Sequence, residues 1–268
     1  MVPVETEFVP ATEELLYERR GAIAILTFNR PDARNAMTWR MYEGLHEACE
    51  HVDADERVRV LVLRGAGDKA FVAGTDISQF REFTTPQHAL DYEARQNRNI
   101  GRVESVQKPT IAMIRGFAVG GGANIALACD LRIAATDARF GVPIARTLGN
   151  TLSLATVARL MAYIGPAGTK DLIFTGRLID AQEGKAAGIF SDVVEPEHLE
   201  ARTFEIAEQI AANAPLTIRS VKEMVRRLLV RARTEEVDDL IQMAYQSEDF
   251  KEGVDAFLGK RPPRWKGR

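Results

Sequence analysis

Three consecutive glycines form the segment of this chain whose residue types are best suited to chemistry. Gly120, Gly121 and Gly122 lead directly into residues 123–128, a run of good helix formers, which predicts a flexible turn that opens a helix. The backbone N–H groups of such a turn can point at a ligand oxygen, and the helix dipole adds partial positive charge at the same place. These features are the components of an oxyanion hole. Simple chain reversal is the alternative for a glycine-rich turn.

A second glycine turn lies upstream, and the order of the segments favours a functional pair. Residues 58–64 have the composition of a strand and lead into the turn Phe-Val-Ala-Gly-Thr-Asp at residues 71–76. Residues 108–115 form a similar strand that leads into the glycine triplet. Each turn is followed by a helix-like segment, so the chain presents two strand-to-glycine turns in series.

The two turns, with Thr-Phe-Asn-Arg-Pro-Asp-Ala-Arg-Asn-Ala before them at residues 27–36 and Phe-Gly-Val-Pro after them at residues 140–143, resemble the enoyl-CoA hydratase/isomerase (crotonase) family. The resemblance covers nearly the whole chain. It implies that the backbone N–H groups of Thr75 and Gly121 hold the carbonyl oxygen of an acyl-CoA thioester. It also implies a spiral of ββα units and C-terminal helices that pack against neighbouring subunits in a homotrimer or homohexamer.

The same resemblance exposes a departure from the hydratases of the family. Enoyl-CoA hydratases carry one catalytic glutamate three residues after the second glycine of the triplet and another directly after the Phe-Gly-x-Pro proline. This chain has Asn124 and Ile144 at those positions. Adding water across a conjugated double bond needs a base for the water proton and an acid for the α-carbon. A carboxamide and an aliphatic side chain cannot exchange protons near neutral pH, so ordinary two-glutamate hydration is not supported.

Asn124 and Asn150 are the candidate catalytic residues in place of the two glutamates. By the resemblance Asn124 faces the thioester, but an asparagine near a helix start also satisfies orphan backbone N–H groups. Asn150 lies in the loop where relatives of other specificities place an acidic residue, although an asparagine after a glycine is also typical of a turn. His88 could act as a base near neutral pH, but a surface position is favoured. Asp76 is expected to shape its loop.

The resemblance also assigns residues to the coenzyme A part of the substrate. The CoA moiety is expected against the turn that contains Ala33 and Arg34 and against the loop that contains Ala73. Lys260 is expected to approach the adenine or the phosphates, often from a neighbouring subunit. Arg146 replaces a residue that is usually apolar and could meet a carboxylate or a polar acyl tail. No cofactor other than the substrate's own CoA is expected, and the four histidines lack metal-ligand spacing.

Composition argues against several classes of protein. The chain has 268 residues and a net charge of −3, and its basic residues are dispersed except near the C-terminus, so a nucleic-acid partner is not expected. No apolar run approaches the ~20 residues needed to span a bilayer, and residues 1–20 do not have the pattern of a signal sequence. Cys49 and Cys129 are isolated in apolar contexts and are expected to be buried thiols. These features predict a cytoplasmic protein.

Short strands that alternate with helices predict an α/β layered core. The expected strands are residues 22–28, 58–64, 110–115 and 130–135. After Phe140 the pattern is almost wholly helical, and Asp180 and Glu183 predict a capping box. The expected helices are residues 38–52, 196–213, 216–230 and 234–245. We expect a crotonase-like spiral core with the acyl-CoA site over residues 1–200 and a C-terminal helical oligomerisation region over residues 201–268.

The sequence therefore predicts an acyl-CoA thioester-processing enzyme, a lyase or isomerase, that stabilises a thioester enolate in an oxyanion hole. Its reaction stays open among hydration by another acid–base set, double-bond migration, and thioester or C–C cleavage. A different class of function is also compatible with the residues. A non-catalytic acyl-CoA binding protein would keep the carbonyl cradle, that is, the backbone N–H groups of Thr75 and Gly121, after losing both carboxylates.

Overall fold

The structure is a computed structural model that describes residues 4, 5, 8–83, 85–231, 233 and 235–268. Within these residues the chain forms a larger sheet of seven strands, in the order β1-β2-β3-β4-β6-β8-β11, and a smaller sheet of four, in the order β10-β9-β7-β5. The larger sheet contains β1 (Val4–Glu5), β2 (Leu15–Arg20), β3 (Ile23–Phe28), β4 (Val60–Gly65), β6 (Thr110–Ile114), β8 (Leu131–Ala135) and β11 (Asp192–Val194). The smaller sheet contains β5 (Ala70–Val72), β7 (Phe117–Val119), β9 (Arg139–Gly141) and β10 (Ile179–Asp180).

The centre of the larger sheet is buried on both faces. All six residues of β3 are buried; Ala24, Leu26 and Phe28 pack into one apolar core and Ile23 and Ile25 into another on the opposite face. From β3 to β11 the strands are parallel. A continuous apolar run, rather than an alternating one, is what a parallel sheet covered on both sides requires.

The helices cover these faces and contribute to the site. They are α1 (Trp39–Ala54), α2 (Pro86–Ser105), α3 (Gly121–Ala128), α4 (Ile144–Thr147), α5 (Leu154–Thr175), α6 (Ala181–Ala186), α7 (Leu199–Ala212), α8 (Pro215–Arg231), α9 (Asp238–Tyr245) and α10 (Glu248–Leu258). Short 3-10 helices span Pro31–Ala33, Ile77–Glu82 and Pro196–His198. Thr38 caps α1 by accepting the N–H of Met41 at 3.3 Å, which explains why that helix begins where the sequence predicts.

A repeated unit connects the two sheets. Strands β4, β6 and β8 of the larger sheet are each followed, after a short turn, by a strand of the smaller sheet and then by helical structure. The strands of the smaller sheet that follow them, β5, β7 and β9, are parallel neighbours. The predicted α/β fold with ββα units is therefore confirmed.

The region after Phe140 differs from the sequence prediction in two respects. It is not almost wholly helical, because β10 pairs with β9 and β11 extends the larger sheet. The capping box is only half formed: Asp180 accepts the N–H of Glu183 at 2.8 Å, but the Glu183 carboxylate pairs with Arg177 instead of turning back. Thr234, where the last helix was expected to begin, lies outside the described residues, as do residues 1–3, 6 and 7 at the N-terminus.

The C-terminal helices differ in how they are packed. Helix α7, which begins at the predicted domain boundary, packs with Leu199 and Ala207 against the larger sheet. Helix α8 leaves a row of large apolar side chains exposed: Leu216, Val221, Met224, Val225 and Leu228. Such a face is typical of a protein interface, but the division at residue 200 and the oligomerisation region stay predictions.

Cys49 and Cys129 are both free and buried, as predicted. Burial raises the pKa of each thiol to about 12, so neither is a thiolate near neutral pH. In the part of the chain that the structure describes, no helix is both long and apolar enough to cross a membrane.

Candidate active site

The two glycine turns predicted from the sequence meet at one edge of the smaller sheet. Strands β5 and β7 are parallel neighbours, so their carboxyl ends lie at the same edge. Residues 73–75 follow β5 and residues 120–121 follow β7. A Cβ atom on Gly121 would lie 3.1 Å from the Thr75 hydroxyl oxygen. The sheet register thus brings Thr75 and Gly121 into contact.

The backbone N–H groups of Thr75 and Gly121 are available to a ligand. Met37 donates its N–H to Gly74 and accepts the N–H of Asp76, which pairs Met37 with Thr75 in a parallel bridge. The N–H of Thr75 itself therefore points to the other side. Gly121 is the first residue of α3, where N–H groups have no intrahelical acceptor and the helix dipole is positive.

Glycine is required around this point for two separate reasons. Gly120 has a φ of +57°, a conformation that side chains with a Cβ atom rarely adopt. At Gly122 a Cβ atom would overlap the backbone of Val72 on the neighbouring strand. One glycine therefore makes the turn and the other allows the close approach of α3 to β5.

A cavity of about 150 Å³ opens onto these N–H groups. Thr75 and Gly121 line it together with Ala73, Asn124 and Asn150. The predicted oxyanion-hole residues and both candidate asparagines are therefore brought together around one space. Ile144, at the second position where hydratases carry a glutamate, also lines the cavity and is buried.

The side chain of Thr75 is held by two phenols. Its hydroxyl lies 2.9 Å from the Tyr42 hydroxyl of α1 and 3.5 Å from the Tyr92 hydroxyl of α2. Burial raises the pKa of both tyrosines above the ordinary value, so both stay protonated and neutral. This contact fixes the residue whose backbone N–H faces the cavity.

Asn124 has a defined orientation because of a buried arginine. The Arg159 guanidinium donates through Nη1 to Asn124 Oδ1 at 2.8 Å and through Nη2 to Glu104 Oε2 at 2.8 Å. Since a guanidinium can only donate, the carboxamide oxygen is turned toward Arg159 and Nδ2 is left on the cavity side. Asn124 can therefore donate a hydrogen bond to a ligand oxygen. It does not cap α3, whose N-cap residue is Gly120.

Glu104 keeps this arginine charged and in place. Burial alone would raise the pKa of Glu104, but hydrogen bonds from Arg233 and the charge of Arg159 outweigh it and lower the pKa to about 2. Arg233 donates to both carboxylate oxygens, at 2.7 and 2.6 Å. The orientation of Asn124 therefore depends on an ion-pair network that reaches beyond α8.

The wall of the cavity that α2 forms carries a buried carboxyl group that the sequence analysis did not identify. Glu93 of α2 lines the cavity and is only 7% exposed. The Tyr245 hydroxyl of α9 donates to Glu93 Oε1 at 2.6 Å, and Asn150 Nδ2 donates to the Tyr245 oxygen at 3.1 Å. Burial raises the pKa of Glu93 from its ordinary 4.5 to about 7, although the hydrogen bond from Tyr245 lowers it.

Gln96, one helical turn after Glu93, is a second buried polar residue of this wall. Its side chain is 5% exposed and lines the cavity, and neither amide atom has a hydrogen-bond partner among the described groups. The same holds for Asn150 Oδ1. Unpaired buried polar atoms are costly unless a ligand or water satisfies them. This wall therefore has the capacity to bind polar atoms.

The predicted CoA-binding residues lie outside the cavity lining, apart from Ala73. The N–H of Ala73 donates to Arg34 O at 3.0 Å, which ties the Ala33–Arg34 turn to the loop before Thr75. Lys260 is exposed at the end of α10, and its N–H donates to the carbonyl of Phe257. Phe257 lines the cavity and is 51% exposed. The contacts of Ala33, Arg34 and Lys260 with CoA stay predictions.

Three further residues from the sequence analysis also lie away from the cavity lining. Arg146 is exposed on α4 and does not line the cavity, and its contact with an acyl group stays a prediction. His88 is exposed on α2, in agreement with the favoured surface position. Asp76 caps a 3-10 helix through the N–H of Ser78 and pairs with Arg30, which confirms its role in shaping the loop.

The sequence does contain a feature that could have identified Glu93, because it is a polar residue at an apolar position of a helical pattern. Ala89, Glu93, Gln96, Ile100 and Val103 follow the spacing of one helix face, and all five are buried. A carboxylate and a carboxamide on an otherwise apolar stripe are unusual. No such pattern marks Tyr245 or Arg159, which reach the site only through the tertiary fold.

The chemistry of this site is that of neutral donors and one carboxyl group. Among the lining residues that the structure describes, none is Arg, Lys or His. Within the described residues no group of three or more His, Cys, Asp or Glu is placed to hold a metal ion. The arrangement can polarise a carbonyl through backbone N–H groups and can move a proton through Glu93.

Comparison with known proteins agrees with this geometry. A family model described as Enoyl-CoA hydratase/isomerase matches residues 18–268. The short-chain-enoyl-CoA hydratase of Clostridium acetobutylicum is 35% identical over 250 residues, covering 92% of this chain and 95% of that enzyme. The crotonyl-CoA hydratase of Syntrophomonas wolfei is 35% identical over 255 residues, covering 94% and 97%. Methylmalonyl-CoA decarboxylase, solved in complex with 2-nitronate-propionyl-CoA, has a TM-score of 0.87 at 32% identity, covering 96% and 100%. The chain therefore belongs to the enoyl-CoA hydratase/isomerase family.

Proposed function

We propose that this protein is an enzyme that binds an acyl-CoA thioester and stabilises its enolate with the backbone N–H groups of Thr75 and Gly121. The main support is the convergence of the two glycine turns on one cavity. A carbonyl oxygen that gains negative charge in the transition state is bound more tightly by such donors than the ground-state carbonyl is. Each donor of this kind typically contributes about 10²- to 10³-fold in rate.

The reaction is not ordinary two-glutamate hydration. Asn124 offers a hydrogen-bond donor where an acid–base group is required, because Arg159 fixes its carboxamide, and Ile144 offers neither donor nor acceptor. We infer a lyase or isomerase in which another residue moves the proton. A non-catalytic acyl-CoA binding protein is the alternative, and it predicts tight binding without turnover.

Decarboxylation of a malonyl-type thioester is a second candidate. The similarity to methylmalonyl-CoA decarboxylase, with a TM-score of 0.87, favours it, and loss of CO₂ forms the thioester enolate without removal of a proton. Such a reaction needs the carbonyl cradle but not the two glutamates. Release of CO₂ from malonyl-CoA or methylmalonyl-CoA, measured beside turnover of enoyl-CoA esters, separates this reaction from proton transfer.

The remaining features of the proposal concern assembly and the rest of the ligand. We place the CoA moiety along Ala33, Arg34 and Ala73 with Lys260 near its adenine or phosphates, and we expect no other cofactor. The exposed apolar face of α8 supports a homotrimer or homohexamer. A cytoplasmic location is part of the proposal.

The test of the carbonyl cradle is a pair of ligands that differ in one group. Butyryl-CoA and S-butyl-CoA share the CoA moiety and the four-carbon chain, but the second is a thioether without the carbonyl oxygen. Isothermal titration should show tighter binding of butyryl-CoA, with free CoA also weaker. Equal affinity for the thioester and the thioether would contradict the proposed role of the two N–H groups.

A further inference from the structure

We propose that Glu93 is the catalytic acid–base residue of this site and that Tyr245 and Asn150 position its carboxyl group. The inference rests on the proposed acyl-CoA function and adds the residue that moves the proton. It places the acid–base group on α2, whereas Asn124 lies on α3. Asn124 and Ile144, at the two positions where hydratases carry their glutamates, do not supply the acid–base group.

The first support is the location of Glu93. It shares the cavity with Thr75 and Gly121, and its neighbour Tyr92 reaches the Thr75 hydroxyl. Among the described lining residues Glu93 is the one carboxyl group. A base must lie in the same space as the reacting carbon and the developing oxyanion, and Glu93 meets that condition.

The second support is the way in which the carboxyl group is held. Tyr245 donates to Oε1, and Oε2 has no hydrogen-bond partner among the described groups. Tyr245 is itself oriented by Asn150 Nδ2. One oxygen is therefore fixed by a relay from α9 and the loop before α5, while the other remains free to take a proton.

The third support is the state of the group near neutral pH. Because burial raises the pKa of Glu93 to about 7, both protonation states are populated at physiological pH. A group of this kind can accept a proton and return it. Among the residues that the structure describes, the other titratable groups that face it are Tyr42 of α1, Tyr92 of α2 and Tyr245 of α9, whose pKa values all lie above the ordinary value for tyrosine.

A single carboxyl group suits a proton shift between two carbons of the acyl chain. The Glu93 carboxylate would take the α-proton of a 3-enoyl thioester, and the C–H electron pair would form a dienolate whose charge lies on the oxygen held by Thr75 and Gly121. The new carboxylic acid would then return the proton to the γ-carbon and give the 2-enoyl thioester. Atoms and charges balance without a co-reactant. The small cavity suits a short acyl chain.

The experiment measures conversion of 3-butenoyl-CoA to crotonyl-CoA by the rise in enoyl-thioester absorbance, with α-proton exchange in D₂O followed by NMR. Glu93→Gln keeps the shape and the acceptor for Tyr245 but cannot move a proton. We expect it to lose about 10²- to 10⁴-fold in rate. Asp91→Asn, which changes an exposed carboxylate on the same helix, is the matched control and should retain the wild-type rate.

The pH profile gives a readout that does not depend on Glu93→Gln folding. For wild type, kcat/KM should rise with pH, reach half of its maximum near pH 7 and level off about one pH unit higher. Tyr245→Phe removes a hydrogen bond that lowers the pKa of Glu93, so the same rise should move to higher pH.

The outcomes separate the two proposals. Wild-type turnover that Glu93→Gln retains, or a profile that is flat between pH 5.5 and 8.5, would overturn the role of Glu93 and leave the acyl-CoA function intact. Binding of butyryl-CoA without isomerisation or exchange would also overturn it. Failure to bind any acyl-CoA would instead refute the proposed function itself.

Discussion

Replacement of Glu93 by glutamine should change how the stability of this protein depends on pH. The pKa of Glu93 is about 7 in the folded protein, against an ordinary value of 4.5. A carboxyl group whose pKa is raised on folding binds its proton more tightly in the folded state than in the unfolded state. Its contribution to the free energy of unfolding therefore falls as the pH rises above the pKa of the unfolded state. This contribution is fully lost above the pKa of the folded state.

The size of the effect follows from the two pKa values. Ionisation of Glu93 costs about 3 kcal/mol of folding free energy once both states are ionised. Glutamine has no charge to bury and retains the acceptor for the Tyr245 hydroxyl. The free energy of unfolding of Glu93→Gln relative to wild type should therefore increase by about 2 to 3 kcal/mol between pH 5 and pH 8.5.

Urea denaturation of both proteins at pH 5 and pH 8.5 measures this difference directly. Asp91→Asn serves as the control, because Asp91 is exposed on the same helix and accepts a hydrogen bond only from Gln87 among the described residues. Its effect should be the same at both pH values. If the effect of Glu93→Gln were also the same at both values, burial would not raise the pKa of Glu93 and the argument would fail.

Two further predictions concern the cradle and the missing glutamates. Gly121→Pro removes the N–H and should cost about 2.7–4 kcal/mol of transition-state stabilisation. Because the new Cβ atom also crowds Tyr42, the control is Gly121→Ala, which adds the Cβ atom but keeps the N–H. Equal losses of activity in the two folded variants would contradict the role of the Gly121 N–H as a donor. Wild type should hydrate crotonyl-CoA very slowly, and the double change Asn124→Glu, Ile144→Glu should raise that rate only modestly, because Arg159 would hold the carboxylate at position 124 in its ionised form. Loss of enoyl-thioester absorbance measures this rate, and fast hydration by wild type would refute our view of the missing glutamates.

The sequence predicts the part of the site that depends on local order along the chain. Thr75 and Gly121 each follow a strand and a glycine, so two parallel neighbouring strands are enough to bring them together. Asn124 is likewise fixed in place by its position in the first turn of α3. These residues could be found because their geometry follows from the secondary structure.

The other wall could not be predicted, because its contacts join distant segments. Glu93 and Tyr245 are 152 residues apart in the chain, and Tyr245 and Asn150 are 95 apart. Asn150 illustrates the limit well: the sequence allows either a turn residue or a catalytic residue, whereas the structure shows a hydrogen-bond donor to Tyr245. Arg159 was missed for the same reason, since nothing nearby in sequence indicates that it binds Asn124.

The two walls of the cavity have opposite electrostatic characters, and this difference assigns their roles. Near α3, Arg159 and Arg233 share one carboxylate, that of Glu104, so the Asn124 carboxamide and the two backbone N–H groups lie beside a cluster with net positive charge. Negative charge that develops on a thioester oxygen is therefore stabilised there, and no group on that side can exchange a proton. On the α2 side burial of Glu93 makes ionisation of its carboxyl group unfavourable. In its ionised form the Glu93 carboxyl group destabilises the fold, yet it lines the cavity in which the enolate would form. Such a costly position is expected of a residue that is retained for proton transfer.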